Sequence, residues 1–258
     1  MSLIHPQAIV DSKAEIDEGV EIGPWSLIGP SVRISKGTRV ASHVVIKGPT
    51  EIGQNNRIFQ FSSIGEDCMD LKYNGEPTRL VIGDNNQIRE CATIHRGTVQ
   101  DQGLTQIGSD NLIMAYVHIA HDCVVGNNII LANNTALAGH VEVGDAVIFG
   151  GFSRVHQFCQ IGAHSMSAIN SVIVKDVPAY VMVSGDTASA HGMNFEGMRR
   201  KGFSQEEISD LRQAYKIVYR QKNTIAKAIE LLKEQYSGSA KVQIFIESLE
   251  KSERGITR

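Results

Sequence analysis

The chain has 258 residues, with 25 Lys or Arg against 28 Asp or Glu, a net charge of −3. That balance excludes the strongly basic surface of a general nucleic-acid binder, and no apolar run approaches the roughly 18–20 residues that span a bilayer. No basic-then-apolar leader opens the sequence, and Cys68, Cys91, Cys123 and Cys159 form no C-x-x-C pair. A soluble cytoplasmic protein without a disulfide framework or zinc ribbon is therefore expected.

From the first residues onward the chain repeats every six positions. Ile4, Val10, Ile16, Ile22, Ile28, Ile34, Val40, Ile46, Ile52, Ile58 and Ile64 stand in strict register. The position four further on is small or β-branched in most repeats, as at Ala8, Ala14, Val20, Ser26, Val32 and Thr38. The beat continues at Ile82, Ile88 and Ile94, slips by one, and resumes from Ile107 through Ile119, Leu137 and Val155 to Ile161. Ser167 is its weak member before Ile173. Neither a helix of period 3.6 nor an ordinary strand of period 2 gives this beat. A triangular solenoid does, with one short strand and one corner per hexad and three hexads to a coil. The predicted fold is an all-β, left-handed parallel β-helix over residues 1–190, with the aliphatic residues as its core.

Two segments leave the beat, at 66–80 and 99–106, and are expected to be loops thrown out from the prism. Such loops commonly carry function, although plain surface decoration is the simpler alternative. After Val177-Pro178 the pattern changes, and residues 191–258 read as a helical domain. Ser204 to Glu207 is a capping box before a stripe of Ile208, Leu211, Tyr215 and Val218. Thr224 opens a second helix, and a last one runs near Val242 to Leu249. This tail holds thirteen basic and nine acidic residues, about +4, leaving about −7 on the prism. The asymmetry points to an acidic partner for the tail.

With inward positions filled by the core, chemistry must come from outward ones. His121 is the third residue of its hexad, and one coil later the same place is Gly139. Adjacent coils stack about 4.8 Å apart, so an unobstructed N–H sits next to an imidazole. A base beside an oxyanion donor is what acyl transfer requires. His95, His118, His140, His156 and His164 crowd the same stretch. Scattered surface histidines, or zinc shared between neighbouring chains, are the competing readings. No other sequence feature demands a metal, and none is expected.

The segments HIAHDCVVGN (118–127), NNTALAGHV (133–141), VHQFCQIGAH (155–164), KDVPAYV (175–181) and NFEGMRRKGFS (194–204) resemble the UDP-N-acetylglucosamine O-acyltransferases, as do IHRGT (94–98) and DLKYNGEPT (70–78). The resemblance covers the whole chain. It implies a homotrimer with active sites between neighbouring prisms, acting at the first step of lipid A synthesis. The enzyme would carry a 3-hydroxyacyl chain from acyl carrier protein to the sugar's 3-hydroxyl, with no cofactor. His121 would be the general base, Gly139 N–H the oxyanion donor and Asp122 the acid that orients the base. Alternation along a strand, however, points Asp122 away from His121. Sugar contacts map to Asp70, Lys72, His118, His140 and Gln157, with His95 and His156 in the same cleft motifs. Asn194, Glu196 and Arg200 match nucleotide- or sugar-binding positions. Arg199, Arg200 and Lys201, with Arg212, Lys216 and Arg220, would dock the acidic carrier. An acyl-chain ruler maps to Ile169, whose branched side chain leads us to expect a chain of about ten carbons. Asp186 departs from the family, which usually has Asn there. An N-acyltransferase on a related amino sugar, a zinc hydratase on the same prism and a non-catalytic scaffold are the alternatives.

Overall fold

The computed structural model describes residues 3–258, so positions 1–2 of the expected 1–190 segment lie outside it. Strands of two to four residues wind in turn through three sheets, parallel throughout up to Val172–Ile173. The first sheet has eleven strands, the second nine and the third eight. Together they form a left-handed parallel β-helix followed by C-terminal helices.

The six-residue beat builds this prism because each aliphatic residue stacks on its equivalent one coil away. Ile4 pairs with Ile22, Ile22 with Val40 and Val40 with Ile58, and from Ile22 to Ile173 these residues are buried as one core. At the fifth position of the hexads, polar residues must satisfy themselves inside the corner. Asn56 Nδ2 donates to Gly83 O at 2.8 Å, and its Oδ1 accepts from Asn86 N at 2.9 Å. Asn86 repeats the pattern on Gly108 O and Asn111 N, and Asn111 repeats it on Gly126 O and Ile129 N.

Both insertions leave from one edge, the corner between the second and third sheets. The first follows the second-sheet strand Ser63–Glu66 and the next one follows Thr93–His95. Ile52 pairs with Ile82, 30 positions on, and Ile82 with Ile107, 25 positions on, against 18 in an undecorated coil. The first insertion thus adds twelve residues, two whole hexads, and leaves the count intact; the second adds seven and produces the apparent slip. Their bounds are 67–78 and 96–103, narrower than expected at 66–80 and displaced from 99–106. Glu66, Arg79–Leu80 and Leu104–Gln106 belong to ladder strands.

The edge between the first and second sheets carries a different feature. Trp25, His43, Phe61, Tyr116 and Phe152 occupy equivalent corners, all with φ between 57° and 62° or close to it at 64°. Trp25, Phe61, Tyr116 and Phe152 are each more than half exposed.

The sheet continues past Pro178, where the beat is lost. Val181–Ser184 pairs with Met166–Ser167 and then, antiparallel, with Ser189–Met193. Four helices follow: α1 (Phe195–Arg200), α2 (Gln205–Tyr219), α3 (Ile225–Gln235) and α4 (Ala240–Glu250). Ser204 forms the expected capping box with Glu207, and Thr224 caps α3. Ile208, Leu211, Tyr215 and Val218 are buried together. Asp176 holds the C-terminal segment to the prism, accepting from Ser252 Oγ and Arg254 N. No helix among the described residues is long and apolar enough to cross a membrane.

Candidate active site

His121 stands on the edge from which both insertions depart, at the corner after strand His118–Ile119. Its Nδ1 lies 2.8 Å from Asp122 Oδ2. The expectation that Asp122 points away is overturned, because residues 120–123 form a corner and not a strand. Asp122 has φ 58°, a left-handed conformation that Asp tolerates better than most residues, and this swings its carboxylate back under the imidazole. The carboxylate is almost fully buried and also accepts from Thr98 N at 2.8 Å and Thr98 Oγ1 at 2.7 Å. Burial alone would raise its pKa, but the hydrogen bonds from His121 and Thr98 outweigh it and hold Asp122 below its ordinary range. An ionised Asp122 assigns the imidazole proton to Nδ1 and leaves Nε2 as the acceptor.

Gly139 sits directly against that acceptor. A Cβ placed there would lie 2.5 Å from His121 Cε1 and 2.7 Å from Nε2, so only glycine allows the ring its position. The Gly139 carbonyl accepts from Phe158 N at 3.2 Å, while its own N–H meets no acceptor among the described residues. A lone pair and an unspent N–H therefore face one space.

That space opens into a cavity of about 420 Å³ on the outer face of the second sheet. Its wall includes His95, His118, Ala136, Arg154 and, from the first insertion, Met69 and Asp70. His118 accepts or donates through Nδ1 to Thr93 Oγ1 at 2.8 Å and meets the edge of His95 with ring centroids 5.2 Å apart. Burial, with repulsion from His95 and His121, pushes His118 down to about 4. Burial also lowers His95. His118 is thus neutral at pH 7, and its proton balance has a stability consequence. Between its unfolded value near 6.5 and about 4, the unfolded chain binds a proton that the folded chain does not, so this contribution is lost as pH falls.

The other expected residues divide into those brought to this corner and those that are not. His140 lies one coil on and behind His121, edge-on at 5.1 Å and stacked on Phe158 at 4.4 Å. It lines a separate space of about 180 Å³ toward the third sheet. Gln157 follows Gly139 in the same column, and His156 beside it is exposed, with Nδ1 3.1 Å from Gln157 O. Lys72 is exposed on the first insertion and does not line the cavity.

Asn194, Glu196 and Arg200 also lie outside the cavity wall. Asn194 is buried as the cap of α1, its Oδ1 accepting Gly197 N at 2.9 Å, so its acceptor is committed to the fold. Glu196 pairs with Arg199 and Arg200. Lys201, Arg212, Lys216 and Arg220 are exposed, with Arg212 over the Phe195 ring at 4.9 Å. Ile169 is 71% exposed at a corner of the prism and lines none of the cavities described. Asp186 is exposed in the turn between the two antiparallel strands.

Several contributors are not marked by the six-residue beat. Arg154 enters the cavity wall as a basic residue on an outward strand position. Arg96 is buried and joins the insertions, donating to Gly65 O at 2.6 Å and Tyr73 Oη at 2.9 Å and pairing with Asp67. Asp101 faces His140 Nδ1 at 2.9 Å. The donor atoms of His121, Asp122 and His140 lie within 4.8 Å of one another, close enough to consider a metal. Each already has a protein partner, however, and the arrangement is that of a hydrogen-bonded pair with a neighbouring ring.

Replacing Gly139 with Ala tests the closeness of this packing. The added methyl should displace the His121 ring while the backbone, whose φ is not left-handed at Gly139, accepts it. A crystal structure or ring NMR of Gly139→Ala should show His121 moved away from Asp122. An unmoved ring would contradict the contact.

Comparison with known proteins agrees with this architecture. Residues 104–139 match a family profile described as bacterial transferase hexapeptide (six repeats), and 176–257 match UDP N-acetylglucosamine O-acyltransferase, domain 2. An acyl-[acyl-carrier-protein]–UDP-N-acetylglucosamine O-acyltransferase of Stutzerimonas stutzeri is 61% identical over 258 residues, covering all of both chains. A solved UDP-N-acetylglucosamine O-acyltransferase of Moraxella catarrhalis is 52% identical, with a TM-score of 0.98 over 99% of each chain. A solved UDP-N-acetylglucosamine acyltransferase of Francisella novicida is 43% identical with a TM-score of 0.97, covering 99% of this chain and 94% of that one. The chain belongs to the UDP-N-acetylglucosamine O-acyltransferase family.

Proposed function

We propose that the protein moves a 3-hydroxyacyl group from acyl carrier protein to the 3-hydroxyl of UDP-N-acetylglucosamine, the first step of lipid A synthesis. The observation that carries this reading is the His121 imidazole held against Gly139, with Asp122 beneath it. Neutral His121 takes the hydroxyl proton on Nε2 as the sugar oxygen attacks the thioester carbonyl. Gly139 N–H stabilises the oxyanion. The C–S bond then breaks, and His121 returns its proton to the leaving carrier thiolate. The balance closes with no metal, nucleotide cofactor or covalent enzyme intermediate. The neutral His118 and the apolar Ala136, Leu137 and Ala138 of the wall suit an uncharged acyl chain, and Asp70 and Arg154 leave polar groups for the sugar.

The working form in this reading is a homotrimer with its sites between neighbouring prisms. Two observations favour it. The exposed aromatic edge of Trp25, Phe61, Tyr116 and Phe152 is a large apolar surface for an unpartnered chain. Glu196 and Arg200, with the Asn194 corner, lie away from this chain's own cavity and would serve the neighbour's nucleotide. Asp70 and Lys72 would reach the sugar from the first insertion, with His118, Gln157, His95 and His156 around it, and His140 behind His121. The exposed Arg199, Lys201, Arg212, Lys216 and Arg220 would meet the acidic carrier.

The same-fold alternative, an N-acyltransferase, is disfavoured by the whole-chain family match and the helical tail. A zinc hydratase would contain about one zinc per chain on metal analysis. Mass spectrometry of the product from UDP-N-acetylglucosamine and a panel of acyl carriers identifies the reaction directly. His121→Ala should lower turnover by about 10²–10⁴-fold while leaving the trimer intact; activity within about threefold of the parent would sink the base assignment.

The Arg212→Glu, Lys216→Glu pair should weaken use of the carrier, most at low salt. An unchanged KM for the carrier would exclude α2 as the dock.

We further propose that the accepted chain is medium, about ten carbons. The exposed Ile169 would block the far end of a groove formed between prisms. A pocket discriminates by about 1–3 kcal/mol per misfitting methylene, so a four-carbon overrun would be strongly rejected. Ile169→Gly should then shift the optimum to longer donors. Preference of the parent for a fourteen-carbon donor, or no shift in the variant, would refute the ruler.

A further inference from the structure

The second insertion, 96–103, is folded down onto the catalytic edge. Its start is tight: a Cβ at Gly97 would run into the backbone of Gly103 and Leu104 and lie 2.8 Å from Asp122 Oδ1. Its end returns on itself, with Gly103 N donating to Thr98 O at 2.9 Å. Between these points Thr98, 1% exposed, reaches the Asp122 carboxylate from the insertion. Its N–H meets Oδ1 at 2.8 Å, and its hydroxyl meets Oδ2 at 2.7 Å. Oδ2 is also the oxygen that His121 Nδ1 approaches at 2.8 Å.

We infer that Thr98 is a positioning residue: it grips both oxygens of Asp122 and thereby fixes the angle and basicity of the His121 base. The inference rests on the reading of His121 as general base. Two donors on two oxygens leave the carboxylate no freedom to rotate, and Thr105 Oγ1 holds the Asp122 backbone N–H at 2.8 Å. The hydroxyl also shares Oδ2 with the imidazole, so it draws electron density from the oxygen that would otherwise pair more strongly with a charged ring. His121 is faced by Asp122 at its own corner, by His140 from the next coil and by His95 and His118 from the cavity. Asp101 acts on it only through His140, and Asp70 faces the same cavity from the first insertion. None of these others contacts Oδ2 closer than His140 Nε2 at 3.8 Å, so the Thr98 hydroxyl is the group whose removal changes the Oδ2–imidazole pairing.

The test compares Thr98→Val, which keeps the shape and the N–H, with Thr98→Ser, which keeps the hydroxyl. Turnover, both KM values and the pH dependence of kcat/KM are measured on the full protein, and the His121 ring is titrated by NMR without substrate. In Thr98→Val, kcat should fall about tenfold, the effect of one hydrogen bond to a charged group, with both KM values nearly unchanged. The His121 titration should move to higher pH, because an Oδ2 relieved of the hydroxyl stabilises the imidazolium. Thr98→Ser should restore both. A His121 titration that does not move in Thr98→Val overturns the inference, whatever happens to turnover. The base reading is tested apart from it: if His121→Ala stays active, that reading falls, while the ring titration still reports the Thr98 contact.

Discussion

The constraint on which the rest depends is the backbone register between coils. Each short strand donates and accepts across a fixed spacing, so a residue's neighbour one coil away is decided by counting eighteen positions. His140 N donating to His121 O at 3.1 Å, and Phe158 N to Gly139 O at 3.2 Å, lock the corner of His121 over that of Gly139. The imidazole does not meet the Gly139 N–H through a flexible loop; the solenoid stacks them. This is the preorganisation that electrostatic catalysis requires, and glycine at 139 is the one local condition for it.

Rigidity of the prism also explains why the candidate site lies where insertions emerge. A bare prism offers flat faces and no enclosure. The two insertions leave from the same edge and convert it into a walled site. The first brings Met69 and Asp70 over the second sheet. The second binds Asp122 and His140 from the opposite side. Arg96 ties the two together through Gly65 O, Asp67 and Tyr73. Its buried guanidinium makes the walls of the site interdependent, since loosening one insertion leaves a buried charge without its partner.

Much of this is legible in the sequence. The hexad beat specified the solenoid, and counting one coil from His121 reached Gly139. The capping box at Ser204 and the apolar stripe of α2 were equally plain. The asparagine ladder was partly hidden: Asn56, Asn86 and Asn111 share a column only once the insertions are measured. Strand alternation gives the wrong direction for the Asp122 side chain, because alternation belongs to strands and His121–Asp122 turns a corner through a left-handed residue. The bounds of the second insertion are hidden because its seven extra residues shift the beat by one, so Leu104–Gln106 falls out of register with the hexads before it. The periodicity marks neither Thr98 nor Asp101, whose partners are set by how the second insertion folds back. Where Asn194, Glu196 and Arg200 lie cannot be read from the repeat, because no count of coils connects the tail to the prism.

The account stands on one geometric claim: the reacting atoms meet between His121 Nε2 and Gly139 N–H. The most direct measurement is a crystal structure of the protein with its acylated sugar nucleotide. The account predicts the ester-bearing sugar oxygen within hydrogen-bond distance of His121 Nε2 and the ester carbonyl oxygen on Gly139 N–H. A product bound with its ester away from this corner, or with the carbonyl oxygen held by other groups, would contradict it.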